Sequence, residues 1–155
     1  MTNIFSYHTC LGNTWLAEED GYITHLFLHR ESIPLKEAFY KETPSLKEAH
    51  KQLEEYLKGM RKDFVLQLKP HGTPFQIKVW YALLNIPYGQ TASYQDVAIA
   101  VGNERAARAV GSANSLNPLP IFFPCHRVIG KNGSMVGYSE GLNFKIKLLK
   151  LETPK

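Results

Sequence analysis

The residues best suited to do chemistry lie together in Pro124-Cys125-His126-Arg127. A cysteine reacts through its thiolate, a minor species at the ordinary thiol pKa of about 8.5, so it needs a base or positive charge nearby. His126 titrates in the range that lets it take the thiol proton, directly or through a water. Arg127 and, farther along, Lys145 add positive charge. A histidine base usually wants an acceptor on its other ring nitrogen, and Glu152 is a candidate. The ordinary alternatives stand beside this reading. A lone cysteine among apolar residues is usually inert and buried, and a glutamate near a helix end is usually solvated. Cys10 and Cys125 are the only cysteines, too few for a disulfide framework. Neither has a second cysteine at ligand spacing, and the adjacent Cys125 and His126 point apart, so no metal is expected.

These groups need a scaffold. Ile4–His8, Gly12–Glu18 and Gly21–His29 alternate like strands, with turns at Leu11-Gly12-Asn13 and Glu19-Asp20-Gly21. Ser45–Met60 repeats apolar residues at helical spacing (Leu46, Ala49, Leu53, Tyr56, Leu57, Met60), opens at Pro44-Ser45 and weakens at Gly59. Phe64–Leu68 alternates again and predicts a further strand. This first part reads as a small α/β unit, and its histidines (His8, His25, His29, His50) show no ligand spacing. Lys69–Pro74 holds two prolines and a glycine and serves as the linker, giving domains 1–69 and 70–155.

The second part is helical. Pro74–Leu84 has an apolar face with proline near its first turn. Ser93-Tyr94-Gln95-Asp96 approximates a capping box and opens a helix to Val101. Gly102 stops it, and Asn103 can cap the next helix, Glu104–Ser115. Two short helices joined by a glycine turn form a helix-turn-helix pattern. The second is mostly small (Ala106, Ala107, Ala109, Gly111, Ser112, Ala113), with Arg105 and Arg108 its long cations. A helix that reads base edges wants several long polar side chains. This one suits close approach to a duplex without sequence reading, or tight packing inside the domain. Asn117–Pro124 carries three prolines from Pro118 to Pro124 and predicts a rigid extended stretch presenting Cys125. Leu142–Leu151 predicts a helix with Leu142, Ile146 and Leu149 on one face and Lys145 elsewhere.

The 155 residues carry a net charge of +4, unevenly spread. Residues 1–69 have nine Lys/Arg against ten Asp/Glu, a net −1, and residues 70–155 have nine against four, a net +5. A polyanion such as nucleic acid fits the second half, as does a plain solvated basic surface. No apolar run nears the ~20 residues that span a bilayer, so a cytoplasmic protein with no membrane contact is expected.

Taken together, PFQIKVW, IPYGQTASYQDVA, AVGNERAARAVGSANSLNPLPIFFPCHRVIG and GYSEGLNFKIKLLKLE resemble, in order and spacing, the O6-alkylguanine-DNA alkyltransferases (methylated-DNA–protein-cysteine methyltransferases). The likeness spans roughly residues 72–152, and residues 1–69 fit the family's variable N-terminal domain. It implies a ribonuclease H-like sheet-and-helix domain joined to a mostly α, winged-helix-like domain. It also implies direct repair without a cofactor: Cys125 takes the alkyl group from O6-alkylguanine, and from O4-alkylthymine, and is consumed in one turnover. The resemblance gives His126 the role of base through a water, Glu152 that of orienting His126, and Tyr94 that of donor to the purine. Asn117 braces the site, and Ser139, Tyr138 and Val128 line the base pocket. Arg108 is the finger that fills the gap left by the flipped nucleotide, a movement the chemistry requires because the target atom is buried in the stack. Arg105, Ala106, Ala107, Ser93 and Tyr94 complete the DNA contact. The partner implied is double-stranded DNA carrying alkylated guanine, bound by a monomer.

Two features depart from the pattern. Glu140 stands where a small residue is expected after Ser139, which restricts bulky adducts, and Cys10 lacks partners for an N-terminal zinc site. With no phosphotriester-accepting module, the expectation is a stand-alone repair protein. The rivals are a non-catalytic alkyltransferase-like protein that flags lesions, a helix-turn-helix transcription factor, and a cysteine hydrolase, which usually has its histidine distant from the cysteine.

Overall fold

The computed structural model describes residues 1–28, 38–130 and 142–153. The chain forms two compact units, Met1–His71 and Gly72–Lys155.

In the first unit, β1 (Thr2–Thr9) and β2 (Gly12–Glu19) form an antiparallel hairpin in register Thr2↔Glu19 to Thr9↔Gly12. β3 (Tyr22–Phe27) pairs antiparallel with β2 through a two-residue turn in which Asp20 (φ 53°) and Gly21 (φ 86°) are both left-handed, the twist that tight hairpins prefer. β4 (Phe39–Tyr40) adds in parallel to β1, giving the order β3-β2-β1-β4. Nothing in the sequence marks β4, because both its residues are exposed and two residues show no alternation. Helix α1 (Pro44–Leu57) starts with Thr43 capping the Leu46 amide and packs Leu46, Ala49, Leu53 and Tyr56 onto the sheet. Each of those leucines contributes roughly 2 kcal/mol of burial. Met60, expected on that apolar face, is 74% exposed, since left-handed Gly59 has already turned the chain off the helix.

The expected strand at Phe64–Leu68 is not one. Its alternation is present in the burial pattern, but its backbone reaches β3 only through an Ile23–Leu68 bridge. Val65 pairs instead with a side chain: its amide donates to Gln52 Oε1 (2.9 Å) and its carbonyl accepts from Gln52 Nε2 (3.1 Å). The amide group of Gln52 thus stands in for a neighbouring strand.

The second unit opens with α2 (Pro74–Leu83), whose capping box joins Thr73 and Gln76 in both directions. A Cβ on Gly72 would lie 2.5 Å from Trp80 Cη2, so only glycine fits there. Buried Trp80 donates from Nε1 to the Ala113 carbonyl (2.8 Å) and thereby ties α2 to the helix carrying Ala113. β5 (Ala92–Ser93) leads into α3 (Tyr94–Ala100), where Ser93 and Asp96 complete the capping box expected from sequence. Helix α4 (Ala107–Ser115) starts three residues later than expected. The Asn103 side chain accepts from the Arg105 amide and caps a turn, which leaves Arg105 and Ala106 ahead of the helix. β6 (Val128–Ile129) runs parallel to β5, and α5 spans Leu142–Glu152.

Two expectations fail near Cys125. The stretch from Asn117 to Pro124 is not extended: Phe123 N bonds Leu119 O (2.9 Å), and Ile121 takes φ 76°, unusual for a β-branched residue. Its apolar residues prefer burial to extension, with Leu119, Ile121, Phe122 and Phe123 all at 2% exposure or less. In α5, the buried stripe is Lys145, Leu148 and Glu152, while Ile146 and Leu149 are only half-buried. Apolar periodicity fails there because the helix buries two charges on purpose-built partners.

Candidate active site

Cys125 opens a single 3-10 turn, Cys125–Arg127, fixed by Cys125 N to Phe123 O (2.7 Å) and Arg127 N to Pro124 O (3.0 Å). The parallel pair β5–β6 sets Ala92 opposite Val128 and Ser93 opposite Ile129. It therefore brings the start of α3, with Tyr94, beside the turn that carries the thiol. Neither cysteine is in a disulfide; Cys10 is exposed and Cys125 buried.

Glu152 reaches back to this turn from the end of α5. Its Oε2 accepts from His126 Nε2 at 2.8 Å, and Arg127 donates to both oxygens, Nε to Oε1 (2.9 Å) and Nη2 to Oε2 (3.0 Å). The Gly89 amide adds a longer bond to Oε1 (3.3 Å). A bidentate guanidinium keeps such a group a carboxylate. Arg127 also donates to Ile86 O (2.7 Å) and stacks over Tyr88.

His126 is fully buried, and burial pushes its pKa below the ordinary value, opposed by Glu152 and assisted by Arg127 and Lys145. It is thus neutral at neutral pH. With a carboxylate accepting at Nε2, the ring proton sits there and Nδ1 is the basic nitrogen. Lys145 is equally buried and donates from Nζ to Val128 O at 2.6 Å. Burial lowers its pKa, while attraction to Cys125 resists that shift. Burial and then Cys125 raise the pKa of Tyr94, so its phenol stays protonated and remains a proton donor. Asn117 braces the approach, with Nδ2 donating to Phe123 O (2.9 Å) and Oδ1 accepting from Leu119 N (2.9 Å).

A thiol, a neutral histidine oriented by a carboxylate, a buried ammonium and a protonated phenol are together equipped for nucleophilic displacement with protonation of the leaving group. Cys125, His126, Glu152, Tyr94, Asn117 and Val128 all belong to this assembly. Arg105 and Arg108 are exposed near the start of α4, Ala106 is buried and Ala107 half-buried. Half-buried Ser93 accepts from the Asp96 amide, so its hydroxyl is engaged as a cap. Tyr138, Ser139 and Glu140 lie outside the described residues. Sequence reasoning missed the Arg127 fork and the Asn114 side chain, which donates to Cys125 O (3.2 Å). The seven-residue spacing of Lys145 and Glu152, which puts both on one helical face, was the available signal.

Residues 74–154 match the family model described as 6-O-methylguanine DNA methyltransferase, DNA binding domain, and residues 5–70 match that of its ribonuclease-like domain. The constitutive methylated-DNA–protein-cysteine methyltransferase of Bacillus subtilis (strain 168) is 54% identical, covering 93% of this chain and 91% of its own. The Mycobacterium leprae (strain TN) methylated-DNA–protein-cysteine methyltransferase is 43% identical, with 98% and 93% covered. A crystal structure of Mycobacterium tuberculosis OGT in complex with DNA is similar at TM-score 0.90 and 39% identity, covering 97% of this chain and 92% of that one. The described residues contain no helix long and apolar enough to cross a membrane.

Proposed function

The chain belongs to the 6-O-methylguanine DNA methyltransferase family, and on that premise we propose that Cys125 is the atom that receives the alkyl group, as a monomer acting on duplex DNA in the cytoplasm. The activity is that of the family: a methyl group passes from O6-methylguanine in DNA to a protein cysteine. Sγ of Cys125 attacks the alkyl carbon; the S–C bond forms and the C–O6 bond breaks, its electron pair going to the guanine. The thiol proton passes to His126 Nδ1 through a water, while Glu152 holds the ring. Tyr94 supplies a proton to the purine, which is a poor leaving group as an anion. The product is a thioether with no route back, so each molecule acts once, on O6-alkylguanine and on O4-alkylthymine. Arg108 enters the duplex as the nucleotide flips out, with Arg105, Ala106, Ala107 and Ser93 along the backbone. Val128 is assigned to the base pocket, as are Tyr138 and Ser139, which lie outside the described residues.

The observation that carries this reading is the 2.8 Å bond between His126 and Glu152 at the residue next to Cys125. A role limited to flagging lesions would leave that apparatus without use.

The test is intact-protein mass after incubation with duplex DNA carrying O6-methylguanine. A gain of one methyl, abolished in Cys125→Ser and retained in Cys10→Ser, is expected. Tight lesion binding without a mass gain would return the protein to lesion flagging.

A further inference from the structure

The buried face of α4 consists of Val110, Ala113 and Asn114. Asn114 is 1% exposed; its Nδ2 donates to Cys125 O, and its Oδ1 has no hydrogen-bond partner among the described residues. The amide cannot be turned round to relieve this, because Cys125 O only accepts and requires the NH2 group. Burying an amide costs more than burying a leucine, which would fill the same space. What leucine cannot supply is the grip on the Cys125 carbonyl. The opposite side of the same helix exposes Arg108. A Cβ on Gly111 would touch the Tyr94 ring at 3.8 Å, so α4 borders both Tyr94 and the reactive turn.

We propose that Asn114 is a positioning residue that couples the seating of α4 on duplex DNA to the placement of Cys125. It touches no substrate and acts through the Cys125 carbonyl. When DNA presses on the Arg108 side, the buried face moves with the rigid helix, and the Asn114–Cys125 bond passes that displacement to the thiol-bearing turn. The proposal rests on Cys125 as the alkyl acceptor.

The experiment compares single-turnover methyl transfer from a duplex carrying O6-methylguanine with transfer from the free base O6-methylguanine, both read by intact mass. In Asn114→Leu, the duplex rate falls about tenfold, while the free-base rate and the affinity for undamaged duplex stay within about twofold. Equal losses with both substrates, or no loss on the duplex, would overturn the coupling. Asn114→Asp keeps the shape and donates only when its carboxyl is protonated, which burial favours. Its duplex rate relative to wild type therefore rises as pH falls, and a constant ratio would count against the proposal. A wild-type protein that gains no methyl on Cys125 from either substrate overturns the underlying reading as well.

Discussion

Arg127 holds Glu152 in a two-point fork, at 2.9 and 3.0 Å, with only 1% of the glutamate side chain exposed. The fork fixes the plane of the carboxylate, and so fixes where His126 finds its acceptor. A single-point cation could balance the charge without setting that plane.

Arg127→Met leaves a buried carboxylate without its cation and is expected to destabilise the protein by about 3–5 kcal/mol in denaturant titration. Arg127→Lys retains the charge and loses the fork. It is expected to keep more of the stability yet transfer methyl at least about tenfold more slowly, as His126 loses its fixed orientation.

Lys145→Met removes the buried ammonium beside Cys125 and the donor to Val128 O. Both the thiolate and the leaving purine lose favourable charge. The expected result is a rate about tenfold lower at neutral pH, partly recovered at higher pH as the thiol ionises without help. A pH–rate profile of the two proteins checks the shift.

His25 in the N-terminal unit is stacked on Phe27, and burial, assisted by repulsion from His71, lowers its pKa to about 4. The unfolded chain, with an ordinary histidine pKa of about 6.5, binds a proton before the folded chain does. Stability contributed by neutral His25 is therefore complete above about 6.5 and is lost as pH falls toward about 4. Across that window Tm is expected to fall less steeply in His25→Gln than in the wild type. Buried His126 is also lowered and adds loss of the same sign.

Gly72→Ala places a methyl 2.5 Å from Trp80 Cη2, and the indole is fixed by its bond to Ala113 O. The ring cannot yield without giving up that bond. A loss of about 1–3 kcal/mol is expected, measured as a fall in the denaturation midpoint with an unchanged m-value.

Much of the scaffold was legible because it obeys simple periodicity. The β1–β2–β3 meander, α1, and the cap at Ser93 follow from alternation, helical spacing and turn chemistry. The site was legible in its central residues, since Cys125 and His126 are adjacent and Glu152 was a candidate on chemical grounds. What escaped were places where a side chain substitutes for backbone or a charge replaces an apolar group. Gln52 replaces a strand partner for Val65, and Lys145 and Glu152 occupy a buried stripe from which Ile146 and Leu149 are turned partly away. The left-handed Ile121 was equally hidden, because only tertiary packing holds a β-branched residue there.

The buried stripe of α5 ties the orientation of His126 to the seating of one helix. Helices α2 and α4 bury mainly apolar residues, together with the single amide of Asn114. Helix α5 instead buries Leu148 between Lys145 and Glu152, so its attachment depends on a few directional bonds to the reactive turn. Removing either partner would leave a buried charge uncompensated, so the charged stripe holds α5 against the reactive turn. The acceptor that orients His126 is therefore only as firmly placed as the last turn of one helix.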